Sequence, residues 1–147
     1  MPEEKSFDPL KLENQLCFPL YAAAKEVVRR YKPLLDRLDL TYTQYILMMV
    51  LWDRQAQTVK ELGEALYLDS GTLSPVLKKL EQKGYVSRNR CTDDERSLMV
   101  EITPQGMALR EQALAVPEQI SACIALEPEE AKRLYDLLYK LLGSMYG

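Results

Sequence analysis

Apolar residues recur every three or four positions near the start of the chain, at Leu12, Leu16, Leu20, Ala24, Val27 and Tyr31, with Val28 beside Val27. That spacing predicts an amphipathic helix. Pro33 is expected to end it, because the residue before a proline avoids the helical region. Leu34, Leu35 and Leu38 then predict a short second helical piece. Pro19 allows two beginnings. Either the regular helix starts just before it, with the proline in a first turn, or the helix kinks there. The first places Cys17 at a helix N-terminus and the second leaves it beside a break.

Thr41-Tyr42-Thr43-Gln44 fits a capping box, with Leu40 stapling to Tyr45. The helix it opens should run to about Trp52. Asp53 to Gln57 is mostly polar and reads as a turn. A second capping box, Thr58-Val59-Lys60-Glu61, opens a short helix with Leu62, Ala65 and Leu66 on its apolar face. A tight turn at Leu68–Thr72 leads to another helix, capped by Asp69, Ser70 or Thr72 and reaching Lys83. Pro75 falls in its first turn if Thr72 is the cap. Leu73, Val76, Leu77 and Leu80 form its inward stripe. Gly84 suits the position after a helix end, with apolar Tyr85 following.

The helical period then stops. Leu98, Val100 and Ile102 alternate as a strand does, and 85–90 is placed to pair with it. Between them, 91–97 forms a charged hairpin loop. Thr103-Pro104 caps a further helix with proline at its first position. Pro117 kinks or breaks that helix before Ile120, Cys123 and Ile124. A last helix starts near Pro128-Glu129-Glu130, where acid complements the dipole. Its stripe is Leu134, Leu137, Leu138, Leu141, Leu142 and Met145. Helix, tight turn, helix and two-stranded hairpin is the winged helix-turn-helix order. The expected fold is mainly α with a small β-hairpin wing, one domain over 1–147. Its winged core spans about 40–103, with flanking helices at about 10–36 and 104–147.

Composition narrows what such a fold does. Apolar residues make up 47% of 147, enough for a core, and no run is long enough to cross a membrane. Met1-Pro2-Glu3-Glu4-Lys5 lacks the features of a secretory signal, so a cytoplasmic protein is expected. There is no histidine. That removes a Ser-His-Asp triad, a Cys-His pair and any His-based zinc site. Cys17, Cys91 and Cys123 are too scattered for a Cys-x-x-Cys knuckle. No metal and no cofactor is expected. The strand–helix alternation of a peroxidase of peroxiredoxin type is missing, which argues against an enzyme.

Net charge is -3, yet the stretch from Lys78 to Arg90 carries Lys78, Lys79, Lys83, Arg88 and Arg90 against Glu81 alone. A DNA-binding protein needs to be basic only on the face that meets phosphate. Asp69, Ser70, Thr72, Ser74, Lys78 and Lys79 lie on the helix after the turn and suit phosphates and base edges. Arg88 adds to the same charge. Arg96 at the hairpin tip could enter the minor groove, with Asp94 orienting it. The hydroxyls could equally be caps, and the lysines plain solvated surface.

Four stretches carry a family resemblance: Asn14-Gln15-Leu16-Cys17-Phe18, Leu40-Thr41-Tyr42-Thr43-Gln44-Tyr45, Leu66-Tyr67-Leu68-Asp69-Ser70-Gly71-Thr72-Leu73, and Asp93-Asp94-Glu95-Arg96-Ser97. The chain resembles the MarR family, and within it the branch that senses organic hydroperoxides. The Asp-Glu-Arg wing is shared across the family, whereas the cysteine and tyrosine words point to the peroxide-sensing branch. Pro19 departs from the family's cysteine word. The resemblance implies a homodimer joined through its terminal helices, bound to double-stranded DNA at an inverted-repeat operator. It implies Cys17 as redox sensor for an organic hydroperoxide, with Tyr31 and Tyr42 of the partner subunit hydrogen-bonding the sulfur. Tyr21, four residues after Cys17, and Phe18 would line the pocket. Cys123 resembles the resolving cysteine of two-cysteine members, and Cys91 is assigned no role. On the residues alone, Cys17 and the tyrosines would be ordinary core. A MarR-type repressor released by a small phenolic ligand is the main alternative, and a protein-interaction module using the terminal helices is another.

Overall fold

The computed structural model describes residues 7–90 and 98–146. A 3₁₀ turn at Leu12–Asn14 precedes α1 (Cys17–Asp36). There follow α2 (Tyr42–Arg54), β1 (Ala56–Thr58), α3 (Val59–Leu66), α4 (Ser70–Gln82), β2 (Val86–Arg90) and β3 (Leu98–Ile102). The chain finishes with α5 (Pro104–Ala113), α6 (Val116–Ser121) and α7 (Pro128–Tyr146).

Pro19 falls in the first turn of α1, where its missing N–H has no intrahelical acceptor to lose. Pro33 does not end the helix as expected; α1 runs through it to Asp36. An interior proline costs about 3 kcal/mol. The residues after it offset that cost by packing: Leu35 and Leu38 are buried, and Leu34 packs against the same cluster.

Both capping boxes form. Thr41 Oγ1 accepts from Gln44 N–H while Gln44 Oε1 accepts from Thr41 N–H. Thr58 and Glu61 repeat the exchange at α3. Asp69 is the cap of α4, its carboxylate accepting from Thr72 N–H at 2.7 Å. Pro75 therefore sits inside α4 rather than in its first turn. At the other end Gly84, at φ 81°, closes a Schellman turn: its N–H meets Glu81 O and Tyr85 N–H meets Leu80 O, both at 3.0 Å.

The three strands form one antiparallel sheet in the order β1-β3-β2. The turn expected over 53–57 is shorter than that, because Gln55, at φ 65°, throws the chain into β1. Ala56 then pairs with Glu101 and Thr58 with Met99. Three residues are too few to show alternation, so β1 left no mark in the sequence. Val86 and Val100 turn inward from β2 and β3. They meet Leu47, Met48 and Leu51 of α2, Leu62 of α3, and Leu73, Leu77 and Leu80 of α4. Pro117 sits in the first turn of α6, and the helical run breaks at Leu114–Ala115.

The flanking helices look different. α7 has no buried residue, and its Leu134, Leu137, Leu141 and Met145 are all exposed. Leu16, just before α1, and Phe18, Leu20, Val27 and Val28 within it are exposed as well. Among the described residues no helix is long and apolar enough to cross a membrane.

Candidate functional site

Burying Leu73, Leu77 and Leu80 of α4 leaves the opposite face of that helix in solvent. Ser70, Thr72, Ser74, Lys78 and Lys79 are all exposed there. Asp69 is occupied: hydrogen bonds from Thr72 N–H and hydroxyl hold its carboxyl below the usual range. Ser74 Oγ donates to Ser70 O at 2.9 Å. Arg88 makes a two-pronged pair with Glu81, at 3.2 and 3.3 Å. The hydrogen bonds from Arg88 keep Glu81 ionised to lower pH than usual. A phosphate at Arg88 would therefore compete with that carboxylate. Cys91, Asp94 and Arg96 lie outside the described residues.

Lys83 is a contact that sequence reasoning missed. Its ammonium donates to Asp39 O and to Gln44 Oε1, tying the end of α4 to the start of α2. In the sequence it is only one more positive charge.

Cys17 is the first residue of α1 and is exposed. Phe18 and Tyr21 are exposed beside it, and Lys25 Nζ lies 5.9 Å from the Tyr21 ring centroid. Tyr31 stands near the other end of the same helix. The rise of 1.5 Å per residue puts ~21 Å of axis between the two. A cysteine and a tyrosine side chain together cannot span that distance.

Tyr31 and Tyr42 stack obliquely with ring centroids 4.9 Å apart. Tyr45, which is buried, lies 5.8 Å from Tyr31 and 6.3 Å from Tyr42. Burial, reinforced by Tyr42 and Tyr45, pushes the Tyr31 hydroxyl up to about 12. Burial also raises Tyr42, and raises Tyr45 with help from Tyr42. All three are therefore neutral hydrogen-bond donors at physiological pH. In the sequence Tyr45 is only a staple partner for Leu40, and the fold makes it the third member of this cluster.

Cys123 follows α6 in a turn, exposed, its thiol 3.6 Å from Gln119 O. Ile120 anchors α6, which packs against α1. No group of residues suited to a metal ion occurs among the described residues.

The family model described as transcriptional regulator SarA/Rot matches residues 29–112. The organic hydroperoxide resistance transcriptional regulator of Bacillus subtilis is 47% identical over 143 residues, 97% of each chain. The chain belongs to the MarR family of transcriptional regulators. Solved relatives within this family include AbfR of Staphylococcus epidermidis. Reduced AbfR bound to DNA is 37% identical with a TM-score of 0.76, covering 92% of this chain and 95% of that one. Disulfide-formed AbfR is 37% identical with a TM-score of 0.65, covering 89% and 92%. The winged-helix architecture read from the order of elements is the one these regulators share. The matched MarR-family relatives are regulators, not enzymes.

Proposed function

We propose that this chain is a cytoplasmic redox-sensing repressor. As a homodimer it holds an inverted-repeat operator in double-stranded DNA, and it releases that DNA once an organic hydroperoxide oxidises Cys17. The observation that carries this reading is the layout of α1. An exposed thiol stands at one end, neutral tyrosine donors at the other, and an unpartnered apolar face lies between. Two such helices laid antiparallel bring each cysteine to the other chain's Tyr31 and Tyr42. Residues 10–36 and 104–147 supply the dimer contact, and 40–103 the reading head. Lys78 and Lys79 neutralise phosphates, Ser70, Thr72 and Ser74 approach the groove, and Asp69 holds the helix end. Arg88 contributes by exchanging Glu81 for phosphate, and Asp94 and Arg96, outside the described residues, are assigned to DNA contact as well.

The chemistry balances without a cofactor. The Cys17 thiolate attacks the terminal peroxide oxygen, an S–O bond forms and the O–O bond breaks. The alkoxide leaves and is protonated to the alcohol. Sulfur is oxidised by two electrons and becomes a sulfenic acid. Tyr31 and Tyr42 of the partner subunit hydrogen-bond the sulfur, while Tyr21 and Phe18 present an apolar wall to the peroxide's organic group. The Cys123 thiol of the partner subunit then displaces water to give a disulfide. That bond needs Cα atoms within about 7 Å.

The test uses DNA selected from a random pool by the reduced protein, with binding followed by fluorescence anisotropy. Cumene hydroperoxide should release wild-type protein and leave Cys17→Ser bound. Retention of the wild type, or release of the mutant, would overturn the reading. Release by phenolic acids without any oxidant would favour ligand control instead.

A further inference from the structure

The tyrosine cluster does not stop at Tyr45. The Tyr45 ring meets Trp52 edge-on, at 6.3 Å and 70°. Trp52 Nε1 donates to Gly106 O at 2.9 Å, joining α2 to the first turn of α5.

Gly106 is pinned where the two strands of the hairpin leave the body. A Cβ there would lie 2.2 Å from Tyr85 O and 2.9 Å from Ile102 Cγ1. Gly106 N–H donates to Thr103 Oγ1, whose hydroxyl donates to Gly84 O. Thr103 N–H donates to Tyr85 O at 3.1 Å. Gly84 and Tyr85 are also the residues that close α4. Whatever moves Gly106 thus moves the root of β2–β3 and the end of the exposed DNA-facing helix together.

Space exists for such a move. Trp52 and Tyr45 line an open surface cleft of about 330 Å³ with Met49, Asp53, Arg110 and Leu114. Packed cores shift between discrete arrangements rather than deforming smoothly. A vacant volume beside the two rings provides the room for a second arrangement.

From this geometry we infer that Trp52 is the positioning residue that passes the state of the sensor tyrosines to the root of the wing, through its hydrogen bond to Gly106. The inference rests on the redox reading above and assigns its internal route. Oxidised Cys17 draws the partner's Tyr31 and Tyr42 out of register. Tyr45 follows, Trp52 turns toward the cleft, and Gly106 O loses its donor. Coupling of this kind requires an element with two arrangements that both sites bias, and the Tyr45–Trp52 pair is that element.

Trp52 is the chain's single tryptophan, so the full-length dimer carries its own reporter. Cumene hydroperoxide should change Trp52 emission in wild type at the rate of DNA release, and leave it unchanged in Cys17→Ser. Trp52→Phe keeps a ring but has no N–H. It should oxidise Cys17 at the wild-type rate, bind DNA when reduced about fivefold more weakly than wild type because Gly106 O has no donor in either state, and keep the wild-type oxidised affinity. Its ratio of oxidised to reduced Kd should shrink by about fivefold, the weight of one net hydrogen bond. A merely structural tryptophan would weaken reduced and oxidised binding alike and leave the ratio alone. Wild-type release with an unchanged ratio in Trp52→Phe overturns the relay and spares the redox reading. Should Trp52→Phe fail to fold, constant Trp52 emission during wild-type release overturns the relay by itself. A wild type that never releases DNA overturns both.

Discussion

Cys17 opens α1, and Tyr31 lies fourteen residues further along the same helix, with ~21 Å of helix axis between them at 1.5 Å per residue. One chain therefore holds both halves of the proposed sensor and cannot close them on each other. The exposed stripe between the halves, Leu20, Val27 and Val28, is what a second α1 would cover. Dimerisation and sensing are then one requirement on one helix.

The tyrosine cluster gives a signature in alkali. Folding holds the Tyr31 proton up to about 12, against 10.0 when unperturbed. The folded chain thus keeps a proton that the unfolded chain gives up first. Stabilisation from this source is complete below about pH 10 and is lost as pH rises toward 12. The melting temperature of wild type should fall across that window, and Tyr31→Phe should flatten the fall. Parallel decline in the two proteins would remove Tyr31 as its cause.

Lys78 and Lys79 are exposed on α4 and are proposed to meet phosphates. Each lysine-to-alanine change should weaken binding to all sequences alike and lower the slope of log K against log salt by about one. An unchanged slope in both would move the phosphate contacts elsewhere.

Much of the fold was legible because it is written in local chemistry. Thr41 with Gln44, Thr58 with Glu61, Thr103 with Pro104, and Gly84 with Tyr85 each mark a boundary through groups a few residues apart. The errors fall where distant packing decides. Pro33 looked like a stop, and only the burial of Leu35 and Leu38 carries the helix through it. β1 exists because β3 lies beside it. At the site, Cys17, Tyr31 and Tyr42 stood out through the family resemblance. Tyr45 and Trp52 did not, because a buried aromatic at helical spacing reads as core until its neighbours are known. The Arg88–Glu81 pair was hidden for the same reason, its partners being a helix and a strand that meet only in the fold.

α7 presents Leu137 and Leu141 to solvent in the single chain. Leu137→Glu with Leu141→Glu should give a monomer by sedimentation velocity. The monomer should lose DNA retention, since two half-sites about one helical turn apart, ~34 Å, need two reading heads. A stable dimer in this variant would put the interface elsewhere.

Cys123 is exposed next to a helix that packs on α1. After hydroperoxide, wild type should run as a covalent dimer on a non-reducing gel, and Cys123→Ser as a monomer. A wild type that stays monomeric, with Cys17 carrying a sulfenate or a small-thiol adduct, would rule out the resolving role.

That each sensor is built from two chains is tested most directly by a mixed dimer. One chain carries Cys17→Ser with its tyrosines intact. The other keeps Cys17 and carries Tyr31→Phe and Tyr42→Phe. Heterodimers are isolated through two different affinity tags, and the oxidation rate of the one remaining Cys17 by cumene hydroperoxide is measured. The tyrosine-deficient homodimer should react about tenfold slower than wild type or more, the weight of a hydrogen bond to a charged group. In the heterodimer that Cys17 faces two intact tyrosines, and it should react at the wild-type rate. A heterodimer as slow as the tyrosine-deficient homodimer would contradict the shared site.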